Sequence, residues 1–530
     1  MDGPFSYQTA TNSPTIGSHI ATGSYQGRLA SLCAKYPNIR YPNPQYPWTN
    51  DYKLSAGIEK LGKVAVLKFE DKQTPERTDI IDSQDLQNFL QETSNATDSG
   101  TARRLYLVEA WDPAMIGILG EHFHTNPTLL VRQYRSAMWE KTHQSGNTPC
   151  LPSAFNPKQS FSITYYEPRF FLPRVAELQG STWRAAETLR HISLSRILGE
   201  FDGVGIVHRK VSYWSRKTVS GGWDAILFLD PPVRDVFIGS REEAYQVSMP
   251  GEPYQGGYPD FMRYNDLNDN CSTPGPSRES MLEDLSYYWT HYAKDILMED
   301  DPIIATFFLK KIIASNYFLL IGYIGALLSE LDYDVSRRNR PICRFQIEWV
   351  EERWKDLQAW TRQCSKYCES VEETMYSFEI PMESELSKSW KTGDKDFHII
   401  QRKLLSMSKR SNDLLASFTG LAGILGNRRV LKEANRSLHE AKSVKTLTFL
   451  GMLFLPLSLA SGLLSMSGDY SPGGSQFWIY FAIAIPLILC VFGVVFLVRM
   501  GYGVDGEWSR KQWQNSLAGF MKGNKETMHL

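Results

Sequence analysis

Two apolar runs near the C-terminus, residues 446–468 and 477–498, contain no Asp, Glu, Lys, Arg or His and are separated by only eight residues. Each is about the twenty residues a helix needs to cross roughly 30 Å of hydrocarbon, and one central charge would cost about 2.5–3.5 kcal/mol. The pattern predicts two transmembrane helices joined by a short external loop, residues 469–476. A mean hydropathy of -0.32 and 22% charged residues over 530 positions exclude a many-helix transporter, so most of the chain is expected in water.

Charge gives the orientation. Arg428, Arg429, Lys432, Arg436, Lys442 and Lys445 precede the first run, and Arg499, Arg510, Lys511, Lys522 and Lys525 follow the second. The loop between has one acid, Asp469, and no base, which predicts that both termini are cytosolic. The sequons at Asn95, Asn270 and Asn435 would then be unmodified. A formal net charge of -1 argues against a nucleic-acid partner. The N-terminus has no basic-then-apolar signal pattern, and its first basic residue is Arg28. The plasma membrane is the expected location, with an organellar membrane as the alternative.

Seven scattered cysteines suit a reducing compartment. Cys364 and Cys368 are spaced as half a metal site that no neighbouring His or Cys completes, and they read as buried or idle thiols. A third apolar run, 312–329, is also uncharged, but Ser315, Asn316, Gly322 and Gly325 interrupt it, and it reads as a helix packed inside the soluble part.

Residues 1–58, rich in Pro, Tyr, Ser and Asn, carry no sustained period and are expected to be mostly disordered. An α/β domain is expected over 59–247. Strand-like runs start at Lys63, Arg104, Phe161, Gly203 and Trp223, and a helix is expected after Pro113, where Met115, Leu119 and Phe123 recur at helical spacing. The Pro- and Gly-dense stretch 248–280 reads as a flexible insertion or linker. Helical segments follow over 281–394, then a stalk helix over 395–445 leading into the first span and a cytosolic tail over 499–530. Trp508 and Trp513, beside Arg510 and Lys511, suggest that the tail rests on the membrane interface. The fold class is thus an α+β membrane protein: N-terminal cytosolic α/β domain, long stalk helix and two C-terminal transmembrane helices. In the stalk, Phe397, Ile400, Leu404, Met407, Ser411, Leu414, Phe418, Leu421 and Leu425 step by three and four, an apolar seam over four heptads that continues less regularly through Leu431, Leu438 and Val444. With no proline before Pro456, about 70 residues would form one rod about 100 Å long.

On the first span, Gly451, Ser458, Gly462 and Ser465 step by three, four or seven and lie on one side. This is either a polar pore face or close packing of membrane helices through small residues. No P-loop, nucleophile elbow, zinc-protease or dinucleotide motif stands in a suitable context, so no enzyme is expected.

The segment from Leu447 to Gly468, LTFLGMLFLPLSLASGLLSMSG, placed after a long basic-tipped helix and before a short loop and second span, resembles the CorA-like magnesium transporter family, in particular its divergent fungal-type members. In that family the first span carries a Phe-Leu-Pro-Leu-Ser/Thr element, here Phe454 to Ser458, and ends in Gly-Met-Asn, here Ser465, Met466 and Ser467. The segment RLYLVEAWDPAMIGILGEHFHTNPTLLVRQYR from Arg104 is similar to the family's strand, helix and Asn/Asp-Pro segment in the cytosolic domain.

The resemblance implies passive conduction of Mg²⁺ or another divalent cation through a homo-oligomeric, pentameric pore lined by the first span. Mg²⁺ is then the transported or regulatory ion, with no other cofactor. Leu447 and Leu455 would be apolar constrictions, Ser458 and Gly462 pore-facing, and Ser467 would stand where the family has Asn. Mg²⁺ holds its water tightly, so neutral oxygens that contact the hydrated ion suit such a mouth; a serine ring would be wider and less selective than an asparagine ring. Asp469 is either a lone surface acid or, in a symmetric oligomer, an external ring that concentrates cations, and acids such as Glu299, Asp300 and Asp301 either bind regulatory cations or cap a helix at Pro302. The alternative is a non-conducting membrane-anchored scaffold that kept the fold and lost selectivity. The partners implied are the bilayer, divalent cations and further copies of the chain.

Overall fold

The computed structural model describes residues 62–69, 74–95, 102–110, 113–134, 156–171, 183–194 without 189, 203–239 without 219 and 220, 245–262, 275–296, 301–337, 347–381, 394–464 and 475–500, with Tyr25, Gly27, Arg28 and Gln514. The chain divides into two compact units, Met1–Leu421 and Ala422–Leu530.

The first unit is built on one mixed sheet of eleven strands: β1 (Gly62–Phe69), β2 (Glu76–Ile80), β3 (Arg103–Ala110), β4 (Ser160–Phe170), β5 (Trp183–Ala185), β6 (His191–Leu194), β7 (Val204–Lys217), β8 (Trp223–Leu229), β9 (Asp235–Ile238), β10 (Tyr245–Ser248) and β11 (Glu252–Pro253). The order is β10-β9-β5-β6-β7-β8-β3-β1-β2, with β4 on the other side of β7 and β11 on β4. Among the described strands only β3 and β8 pair in parallel; the remaining ladders are antiparallel.

The sheet is covered on both faces, which explains why β1, β3 and β8 read as nearly continuous apolar runs. Alternate residues Val64, Val66, Tyr106, Val108, Ile226 and Phe228 pack on helices α1 (Ser83–Asn95), α2 (Pro113–Phe123) and α3 (Pro127–Tyr134). Asn126 starts α3: its side chain accepts from the Thr128 N–H at 3.0 Å and Pro127 occupies the first turn. On the opposite face, Phe69 stacks edge-on with Trp289 at 5.2 Å, joining β1 to α4 (Met281–Tyr292), and Trp289 meets Phe308 of α5 (Phe307–Arg337) at 4.7 Å. Burying each such ring contributes about 2–3 kcal/mol. Two charged clusters are also buried. Glu167 pairs with Arg169 and Arg209, while Arg190 and Asp230 form a second ion pair joined by Gln133 and the Lys210 N–H.

Helix α6 (Ile347–Ser377) approaches the outer side of β4, where Ser370 Oγ donates to the Thr164 carbonyl at 2.7 Å and so occupies part of an otherwise open strand edge. Helix α7 (Asp394–Leu464) begins in this unit. Its seam is buried at Phe397, Ile400, Leu404, Ser411, Leu414 and Phe418, with Trp349 6.0 Å from Phe418 and Thr361 bonded to Ser411 at 2.7 Å.

Two expectations need correction, and one residue of the N-terminal stretch has a fixed place. Tyr25, in the stretch read as patternless, is buried in the core: its ring lies against Gly120, where a β-carbon would fall 2.3 Å from the ring, its hydroxyl meets Thr125 Oγ1 at 2.9 Å, and its N–H donates to Glu121 at 2.7 Å. The rest of 1–58, apart from Gly27 and Arg28, lies outside the described residues. The sheet extends past residue 247 into β11, and the stretch read as flexible is anchored where it is described. There the buried Tyr258 donates to Asp284 at 2.7 Å, and Phe261 stacks on Tyr288 at 4.4 Å. Its glycines and prolines mark irregular backbone, while its aromatic residues tie it down. Residues 263–274 lie outside the described residues.

The second unit contains the rest of α7 and α8 (Trp478–Met500). Among the described residues, three helices are long and apolar enough to cross a membrane: 302–333, which takes in most of α5, together with α7 and α8. They differ in cover. In the most apolar window 61% of residues are buried for the α5 segment, against 11% for α7 and 6% for α8. The α5 run is therefore core of the first unit, with Asn316 buried beside Tyr317 and Leu320.

Candidate functional site

The second unit holds the residues singled out in the sequence. α7 and α8 run antiparallel: Phe449 meets Phe492 at 5.2 Å, and nearer the loop Tyr480 Oη donates to the Leu457 carbonyl at 3.3 Å. Ala460 and Ala484 are buried in the hairpin, where small side chains allow close approach. Pro456 lies inside α7 and Pro486 inside α8. Pro456 has no N–H, so the Met452 carbonyl loses its intrahelical donor, a loss that membrane helices tolerate when neighbours re-satisfy nearby backbone groups.

At about 100° per residue, Phe449, Leu453, Pro456 and Ala460 share the side of α7 that meets α8. Leu447, Gly451, Ser458 and Gly462 fall on the opposite side, with Leu455 at its flank. Leu447 is 71% and Leu455 69% exposed, and Ser458 and Gly462 are exposed as well. The hairpin therefore uses alanines and aromatics for its own contact, not the glycine and serine stripe. A β-carbon on Gly451 or Gly462 would meet nothing within 4 Å. Nothing described in this chain asks for glycine there, although each costs a helix about 1 kcal/mol relative to alanine.

The hydroxyls on this helix bond to its own backbone. Ser458 donates to the Leu455 carbonyl at 2.9 Å and Thr448 to the Val444 carbonyl at 2.8 Å. Each hydroxyl oxygen keeps acceptor capacity, so Ser458 presents an oxygen, not a proton, to whatever faces it. Ser465, Met466, Ser467 and Asp469 lie outside the described residues, as do Trp508 and Trp513.

Elsewhere, Asp301 caps the turn Pro302–Thr306, accepting from the Ile303 N–H at 3.2 Å, which accounts for an acid before this proline; Glu299 and Asp300 lie outside the described residues. Cys364 and Cys368 are buried in α6, and burial pushes the Cys364 thiol up to about 12, away from the thiolate that a metal would need. Among the described residues no group of three or more His, Cys, Asp or Glu is placed to hold a metal ion.

Sequence reasoning missed the acids around the start of α4. Glu109 of β3 accepts from Ser280 Oγ and the Leu282 N–H, and burial, partly offset by these donors, raises its pKa to about 7. Glu283, held by Arg77 at 2.9 Å and by Lys63, is drawn down to about 2. The apolar residues surrounding Glu109 in β3 gave no hint that its carboxyl would cap a helix 170 positions away.

The fold and the exposed hairpin define a class: an α+β protein with a mixed-sheet first unit and C-terminal helices long and apolar enough to span a membrane. No family model matches the chain, and no curated protein matches it. Among solved structures, that of the full-length CmaX protein aligns with 84% of this chain and 100% of its own, at 12% identity and a TM-score of 0.32.

Proposed function

We propose that the chain is one subunit of a homo-oligomeric two-span channel of the CorA-like type that passes divalent cations, Mg²⁺ first, down their electrical gradient without covalent chemistry. The observation that supports this reading is the exposed face of α7 bearing Leu447, Leu455, Ser458 and Gly462, turned away from α8. In a ring of copies that face would surround an axis. Leucines at two levels would form apolar constrictions that open by wetting, and the serine oxygen would meet the hydrated ion. Both termini would be cytosolic, in the plasma membrane. α7, continuous from the first unit into the span, would carry rearrangements of the soluble part to the constrictions.

The test is Mg²⁺ influx into proteoliposomes with a trapped indicator and an inside-negative potential. Wild type should conduct, and Leu455→Asp should change the initial rate by about tenfold, the worth of about 1.4 kcal/mol on the barrier. No influx in wild type but influx in Ser467→Asn would mean a disabled entrance on a preserved channel. Silence in both, with intact oligomers, would refute conduction and support the scaffold.

A further inference from the structure

Five charged side chains gather where α4 starts against the sheet: Glu109 of β3, Glu167 and Arg169 of β4, Arg209 of β7 and Asp284 of α4. Glu167 takes both arginines, and among the described residues Glu109 and Asp284 belong to no ion pair, although both are buried. Their carboxyls accept from neutral donors instead. Glu109 holds Ser280 Oγ, the side chain that caps α4, and the Leu282 N–H at 3.4 Å. Asp284, one turn on, accepts from Tyr258 Oη at 2.7 Å and from the Arg278 N–H at 2.8 Å. One carboxyl thus ties the helix start to β3, and the other ties it to Tyr258 and to the chain just before the helix.

That chain is strained. Arg278 has a φ of 59°, in the left-handed region, and is kept there by the Asp284 bond and by its own Nε donating to the Tyr258 carbonyl at 2.6 Å. Two arginines against Glu167 leave one positive charge, so one further ionisation in the group is balanced and a second is not. The surrounding charges do not supply the missing cation. Glu283 of α4 adds a like charge beside Glu109 and occupies Lys63 of β1 and Arg77 of β2; the Arg278 guanidinium is turned to the Tyr258 and Pro276 carbonyls; Asp260, which accepts from Tyr288, is a further acid on the Asp284 side. Burial is the larger effect at both acids and raises Glu109 to about 7 and Asp284 to about 6. We propose that the start of α4, with residues 275–280, is a proton-operated latch: it stays closed on the sheet while Glu109 and Asp284 keep their protons and opens locally once both have lost them, with the sheet intact. Opening would take the carboxyls to water and let Arg278 relax to an ordinary φ. Because both acids are raised, closure is strongest below their ordinary values and weakens as pH climbs through about 6 and about 7. The latch lies within the first unit and does not depend on the channel reading.

Hydrogen–deuterium exchange of the full chain in detergent would measure the opening, with wild type and variant compared at each pH so that the intrinsic exchange rate cancels. If opening returns Glu109 to its ordinary 4.5, the ratio of wild-type to Glu109→Gln opening in peptides covering 275–286 should grow about fortyfold between about pH 5 and about pH 7. Asp284→Asn should flatten the wild-type profile in part, and β8 and α2 should show no such growth. A ratio that stays constant with pH would overturn the inference. So would growth of the same size in β8 and α2, which would make the effect one of global stability. Should either variant fail to fold, the wild-type series decides alone: protection lost with rising pH over 275–286 and kept in β8 supports the latch, and protection lost equally in both refutes it.

Discussion

Glu109→Gln should make the protein more stable at alkaline pH and leave it unchanged at acidic pH. Glu109 is 7% exposed, with Ser280 and Leu282 donating to one carboxyl oxygen, and its pKa is raised from 4.5 to about 7, chiefly by burial. An acid whose folded pKa lies above its unfolded one favours the fold while protonated. That contribution is complete below about 4.5 and is lost as pH climbs through about 7. At about 1.36 kcal/mol per pH unit, the interval is worth about 3 kcal/mol. Glutamine keeps an acceptor for both donors and never ionises. Thermal unfolding of the full chain in detergent should therefore give equal midpoints near about pH 5 and a variant about 6–12 °C more stable near about pH 9, at about 2–4 °C per kcal/mol. Asp284, also raised by burial, titrates in both proteins and cancels in the difference. A gap between variant and wild type that is the same at both pH values would refute the reasoning.

Gly120→Val would place a side chain into the Tyr25 ring, expel it, and cost about 2 kcal/mol; limited proteolysis should then cut before residue 62 at a rate matched by Tyr25→Ala. Asp230→Ala would leave the Arg190 guanidinium buried without its carboxylate, a loss of about 3–5 kcal/mol measurable in the same thermal assay, whereas the exposed pair Arg436–Glu440 should contribute below about 0.5 kcal/mol.

The longest strands and helices were legible because their residues repeat the geometry of their surroundings. The apolar runs of β1, β3 and β8 are buried on both faces, and the α7 seam through Phe418 is buried as its spacing implies. Strands β5, β6, β9 and β11 span two to four residues and carry no period long enough to read; they are held by ladders to distant partners. Tyr25 escaped notice because its place depends on Gly120, almost a hundred positions away, and neither residue is unusual alone. In the hairpin, the pattern separated polar from apolar positions on the first span. Which side would meet α8 depended on Ala460, Ala484 and the phenylalanines, residues that a hydropathy count treats alike.

Between residues 427 and 447, α7 is exposed on every side. Most helices owe their stability to a packed face; this stretch has its own propensity, the pairs Arg429–Glu433 and Arg436–Glu440, and continuity with helix at either end. Such a segment behaves as a fuse. If a turn of it melts, a few backbone hydrogen bonds are lost and no packed face is lost with them. The order of this stretch is therefore set locally, by its own backbone hydrogen bonds and exposed ion pairs, and not by packing against another element.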